Sequence, residues 1–196
     1  PTADYHNSEY VSDYFKMREF LSGFTGSAGT LVVSGKEAGL WTDGRYFVQA
    51  ESELEGSGII LYRMHEENVP TIREYLEKNV SEGQTVGFDG RVTDAFFGKE
   101  LETAFEGKDV TLVYDRDVAE QLWQDRPAMP ASRVWVVSEE SCGMSVAEKL
   151  ARVREKMAEE NAAHLLISKL DDIMWLYNIR ANDVECNPVA LSYTFI

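Results

Sequence analysis

Six glycines (Gly23, Gly26, Gly29, Gly35, Gly39 and Gly44) punctuate the stretch from Leu21 to Ala50. The two apolar runs between them, at 31–33 and 40–41, are too short for anything but brief strands joined by tight turns. Residues 30–34 and 38–42 therefore read as a hairpin around Ser34-Gly35-Lys36. An Asp43-Gly44 turn follows, and Arg45 stands where the next periodic segment begins, with Tyr46, Phe47, Ala50 and Leu54 on a helical stripe. A rigid turn of this kind presents one charged side chain.

The rest of the chain alternates in the same way. Residues 8–20 carry aromatic and apolar positions that allow a short helix or helical turns. Residues 58–64 form a near-continuous apolar run, as expected of a strand covered on both faces. A helix is predicted over 68–79 with Pro70 near its start, a strand over 85–88 closed by Asp89-Gly90, and a helix over 93–105. A strand over 110–114 and a short helix over 118–123 complete the series. Strand–helix alternation of this length predicts an α/β layer with helices on both sides of a sheet.

The run from Asp125 to Ser132 contains two prolines, Pro127 and Pro130, each barring the preceding residue from helix; it is the clearest linker in the chain. A strand or strap is predicted over 134–138. Beyond it, Ser145-Val146-Ala147-Glu148 has the pattern of a capping box opening a long helix with Val146, Leu150, Val153 and Met157 on one face. A strand over 163–168, an apolar segment over 171–179 and the beginning of a strand over 191–196 follow. The order of elements after the linker faintly echoes that at the start, which suggests two related α/β units.

Charge excludes some partners. Thirty-four acidic side chains face 19 basic ones, a formal net charge of −15. Such a surface repels nucleic acid and anionic membranes. No apolar run approaches the ~18–20 residues of a membrane span, and a signal peptide is not expected. Cys142 and Cys186 form no CxxC pair and read as reduced thiols in a cytoplasmic protein. Both ends look cut from a longer chain.

Few residues offer chemistry. Gly23-x-x-Gly26-x-x-Gly29 has a helical segment before it and a strand after it, the reverse of a phosphate-cradling loop, and reads as a tight turn. Ser22 and Ser27 lack the G-x-S-x-G context of a nucleophile. His6, His65 and His164 belong to no visible constellation. Asp171-Asp172, Glu139-Glu140 and Glu159-Glu160 lack metal-ligand spacing. Arg45 remains. Its guanidinium can pair with a carboxylate or donate to peptide carbonyls, an orienting role, with Trp41 and Tyr46 flanking it. The alternative is an ion pair with Asp43 or Asp89.

The strings FLSGFTGSAGTLVV, LWTDGRYFVQA, VGFDGRVTDAFF and LWQDRPAMPAS resemble, in that order, the non-catalytic N-terminal region of the Xaa-Pro aminopeptidases (aminopeptidase P). KLARVREKM and LDDIMWLYNIRANDVECNPVALSY resemble the start of that family's middle domain. The resemblance covers nearly the whole chain and implies a creatinase N-terminal-like mixed α/β sheet flanked by helices. On this reading 1–132 form the first domain, without its first helix and strand, and 133–196 the first part of a second, related α/β domain. It further implies an enzyme that removes the residue preceding proline, with proline second in the peptide. The activity would lie in a catalytic domain outside this stretch, carrying two divalent ions, manganese in the usual case. No cofactor, metal ligand or catalytic residue is then expected within 1–196. Arg45 is the implied substrate-binding residue, with Trp41, Asp43 and Tyr46 as its supports; Asn187-Pro188 shapes a turn. A homodimer is implied. A second reading, from relatives that have lost their metal ligands, is a non-catalytic module that binds protein partners, basic ones included.

Overall fold

The computed structural model describes residues 1–196. A 3-10 turn at Asp13–Phe15 leads into α1, Met17–Ser22, so the expected helix over 8–20 is confined to its second half. Gly23 ends α1 with φ of 71°, a left-handed conformation that costs glycine little. Strands β1 (Thr30–Val33) and β2 (Ala38–Thr42) form the predicted hairpin, with Leu31 opposite Leu40. Helix α2, Phe47–Glu53, crosses over to β3, Ile59–Arg63, which pairs parallel to β2 with Leu40 opposite Leu61. The sheet order is β1-β2-β3, mixed in direction.

Burial of β2 follows from strand alternation. Successive side chains point to opposite faces, and Leu40 and Trp41 are both essentially inaccessible. Leu40 packs with Phe24, Ala50 and Leu54, the side of α2. Trp41 packs with Tyr75 and Leu76 of α3 (Ile72–Asn79) and with Leu101 and Phe105 at α4 (Ala95–Ala104). Helices thus cover both faces of β2. The parallel strands β4 (Thr85–Gly87) and β5 (Thr111–Val113) add Val86 and Leu112 to the Trp41 side. Helix α5, Ala119–Leu122, follows.

Local chemistry sets the helix starts. Pro70 lies just before the cap of α3 rather than inside the helix, and its carbonyl accepts from the Trp41 indole at 2.8 Å. Thr71 Oγ1 accepts from the Glu74 amide, and the Glu74 carboxylate accepts from the Thr71 amide at 2.8 Å. Asp94 accepts from the amides of Phe96 and Phe97 at the start of α4.

The chain divides into two compact units, residues 1–9 with 15–127, and residues 10–14 with 128–196. The second unit contains β6 (Trp135–Val136), α6 (Glu139–Cys142), α7 (Val146–Glu159), β7 (Leu166–Ile167), α8 (Leu170–Tyr177), β8 (Ile179–Arg180) and β9 (Thr194–Phe195). Its strands pair antiparallel, β6 with β8 and β7 with β9. The predicted capping box at Ser145 and Glu148 is present. Leu170, Ile173 and Met174 of α8 pack with Ala181, Val184, Val189 and Ala190. Lys149 is buried; its Nζ donates to Trp175 O at 2.7 Å and Asn178 Oδ1 at 2.6 Å, at the C-terminal end of α8 where a cation is favoured. No helix is long and apolar enough to cross a membrane.

Candidate functional site

The turn after β2 is built from its own sequence. The Tyr46 amide donates to Asp43 O at 3.0 Å and closes a four-residue turn. Asp43 Oδ1 accepts from the Arg45 amide at 3.1 Å and from Arg45 Nε at 2.9 Å, while Oδ2 accepts from Nη2 at 2.9 Å. The carboxylate therefore grips one edge of the guanidinium in a fork. The other edge, at Nη1, makes no hydrogen bond within the chain, and the Arg45 side chain is 60 % exposed. The hydrogen bonds from Arg45 hold the Asp43 carboxyl below its ordinary range, and the same pairing raises Arg45. Both groups are charged through the neutral range.

Of the flanking residues named above, Tyr46 touches Arg45: the guanidinium lies 5.2 Å from its ring centroid, a cation–π distance. The Tyr46 hydroxyl bonds Ser27 Oγ at 2.6 Å and so ties the turn to the glycine loop. Trp41 instead stacks on Tyr62 at 4.0 Å and meets Tyr75 edge-on at 5.0 Å; it anchors β2 from the core and does not flank the guanidinium. Asp89, the other ion-pair candidate, is held by Arg91.

The glycine loop is fixed from below. Arg18 of α1 is buried and donates to Phe24 O, Gly26 O and Thr2 Oγ1, with its guanidinium 4.6 Å from the Phe24 centroid. Burial lowers its pKa, since no side-chain carboxylate bonds it. Glu53 of α2 accepts from the Thr25 amide at 2.9 Å and hydroxyl at 2.7 Å, and Thr42 Oγ1 donates to Ala28 O at 2.7 Å. A Cβ at Gly26 would overlap the rings of Phe24 and Tyr46, so only glycine lets the loop lie against them.

Sequence reading passed over Glu9 and set His65 aside; they act electrostatically, and weakly, on Arg45 and Asp43 respectively. Neither is marked by spacing. A third was visible: Asp89-Gly90-Arg91 repeats Asp43-Gly44-Arg45. Arg91 reproduces the clasp, with its amide and Nε 3.0 Å from Asp89 Oδ1 and Nη2 2.8 Å from Oδ2. Its Nη2, however, is shared with a second carboxylate, Asp117 at 3.0 Å, which Arg126 also grips at 2.7 Å. Of the twin clasps, the one at Arg45 is open.

No group of three or more His, Cys, Asp or Glu side chains converges closely enough to hold a metal ion. The residues of this chain do not fit a two-metal centre. His164 stacks on Phe195 at 5.2 Å.

The chain as a whole is similar to known proteins. The sequence profile of the Creatinase/Prolidase N-terminal domain matches residues 10–121, and a second profile of the same description matches 125–196. The chain is 40 % identical over its whole length to a probable Xaa-Pro aminopeptidase P of Talaromyces marneffei, covering 30 % of that protein. It is 36 % identical to aminopeptidase P2 of Arabidopsis thaliana, covering 28 % of it. Among solved structures, the cytosolic X-prolyl aminopeptidase of Caenorhabditis elegans, an enzyme with a di-nuclear active site, superposes with a TM-score of 0.91 at 34 % identity; the match covers all of this chain and 32 % of that one. The chain thus spans about a third of the length of these relatives. With the first profile alone spanning more than half of its residues, the chain belongs to the Creatinase/Prolidase N-terminal domain family.

Proposed function

We propose that residues 1–196 are the non-catalytic N-terminal part of a metal-dependent Xaa-Pro aminopeptidase, a hydrolase that removes the residue preceding proline. The observation that carries this reading is end-to-end likeness to such enzymes, 34–40 % identity over the whole chain. Within it, 1–132 are a creatinase N-terminal-like first domain and 133–196 the start of a related second. Two divalent ions, manganese in our reading, belong to residues outside this chain, and no catalytic step is assigned to the residues here. A homodimer in the cytoplasm is part of the same proposal, supported by resemblance and, for location, by the cytosolic C. elegans relative.

The role we assign to this part is orientation of the peptide. Arg45 Nη1 would donate to a peptide carbonyl or carboxylate, while Asp43 fixes the guanidinium plane and Tyr46 supports its face. Because the guanidinium is already held, less rotamer freedom is lost when substrate arrives. Arg45→Ala in the full-length protein tests this. The expected result is a fall in kcat/KM of about tenfold or more with metal content unchanged. Wild-type kinetics would refute the role.

A further inference from the structure

The first unit has a second concave feature with its own chemistry. β3 bonds β2 on one side and no strand on the other. Its sequence, Ile59-Ile60-Leu61-Tyr62-Arg63, has no proline or lysine along that edge and no break in its register with β2. Proteins normally blunt a free edge of this kind with such devices, or cover it. Along the edge runs an open groove of about 790 Å³. Ile59, Leu61 and Arg63, alternate residues of β3, form one wall. Val48, Glu51 and Ser52 of α2, at the i, i+3, i+4 spacing of one helical face, form the other together with Glu55 from the turn that follows the helix. Val48 is 82 % exposed, far more than an aliphatic side chain needs at the start of a packed helix.

Charge selects the occupant. Of the groove's carboxylates, Glu51 is paired with Arg63 at 3.1 Å. Glu55 and Glu66 have no side-chain partner, and they lie just before β3 begins and just after it ends. A segment laid along the five residues of β3, about 16 Å, would meet Ile59 and Leu61 on one wall, the Glu51–Arg63 pair across the groove, and a carboxylate at either end. A second copy of this chain is a poor fit, because its own β3 edge brings the same glutamates and the chain is strongly acidic. We infer that the groove between α2 and the free edge of β3 binds an extended polypeptide segment of another protein, apolar in its centre and basic at both ends, by adding it as a fourth strand. Backbone hydrogen bonds would supply affinity and the groove walls selectivity, as in other strand-addition sites.

The test uses the full-length protein and a capped nine-residue probe peptide with a valine- and isoleucine-rich centre and lysines at each end. The expected result is micromolar binding that weakens several-fold as salt rises through the range where surface charges are screened, with amide hydrogen exchange slowed about tenfold across residues 59–63. Val48→Asp, and separately Glu55→Lys with Glu66→Lys, should each lose about tenfold in affinity at an unchanged melting temperature, since all three side chains are solvent-facing. Four results would overturn the inference: equal binding of a glutamate-ended probe, binding without protection of β3, no binding at millimolar probe, or self-association of the chain that Val48→Asp abolishes.

Discussion

A guanidinium serves a ligand only through the edge its own protein leaves open, and three arginines in the first unit divide on that point. Arg45 is gripped on one edge and open on the other. Arg91 has the same grip and a second carboxylate on its Nη2. Arg18 is spent inside the fold on two backbone carbonyls and a hydroxyl. Replacing Arg18 by methionine would keep much of its apolar stem but leave the carbonyls of Phe24 and Gly26 buried without donors. Arg18→Met should therefore destabilise the chain by about 2–4 kcal/mol in urea denaturation. Arg18→Lys should recover only part of this, because an ammonium cannot reproduce the planar fork. A loss below about 1 kcal/mol would mean that the loop is held by Glu53 and Thr42 alone. The Arg45–Asp43 ion pair was legible in the sequence, as the alternative given for Arg45, because it is local, within three consecutive residues. Arg18 was not, because its partners are main-chain oxygens that no spacing of side chains advertises. In the sequence Trp41 reads only as a flank and support of Arg45; its place in the core rests on Tyr75, Leu76, Leu101 and Phe105, which lie at helices distant in sequence.

At the scale of elements, the features read correctly from sequence are those whose cause lies within a few residues. The β1–β2 hairpin follows from apolar runs around Ser34-Gly35, and its turn is closed by Ser34 bonding back to Glu37. The start of α7 follows from Ser145 and Glu148. Ser145→Ala should lower stability by about 1 kcal/mol, seen as a lower melting temperature, while substitution of exposed Arg154 on the same helix should change it by less than about 0.5 kcal/mol. Equal effects would show that helix propensity, not the cap, sets that start. Elements whose cause is distant were not legible. β8 is two residues long and exists because β6 pairs with it; Ile179 and Arg180 alone carry no strand signal. Glu139-Glu140 reads as a solvated acidic face, yet Ser138 caps a short helix there by accepting from the Ser141 amide, a contact too weak in pattern to predict.

Across the whole molecule, two electrostatic effects pull stability in opposite directions with pH. With 34 acidic against 19 basic side chains, the chain repels itself at neutral pH. Lowering the pH to about 5 begins to neutralise carboxylates, which relieves that repulsion. Below about pH 4 the second effect takes over. Asp43, Glu74 and Glu148 are held low by hydrogen bonds to Arg45, Thr71 and Ser145. For Asp117 and Asp183, burial pushes the pKa up but is outweighed by bonds from Arg126 and from Ser132. Groups lowered in the folded state bind fewer protons than in the unfolded chain, so their stabilisation is complete above the unfolded pKa and is lost as pH falls through the folded one. The melting temperature should therefore rise from pH 7 to about pH 5 and drop steeply below about pH 4. Added salt should raise it at pH 7 more than at pH 5, since screening acts on the repulsion, which is larger at pH 7, and less on the buried Asp117–Arg126 pair. Circular-dichroism melts across this range would decide the matter. A maximum at or above pH 7 would mean that self-repulsion is unimportant, and an unchanged melting temperature at pH 3 would mean that the clasps and caps named here do not hold the fold.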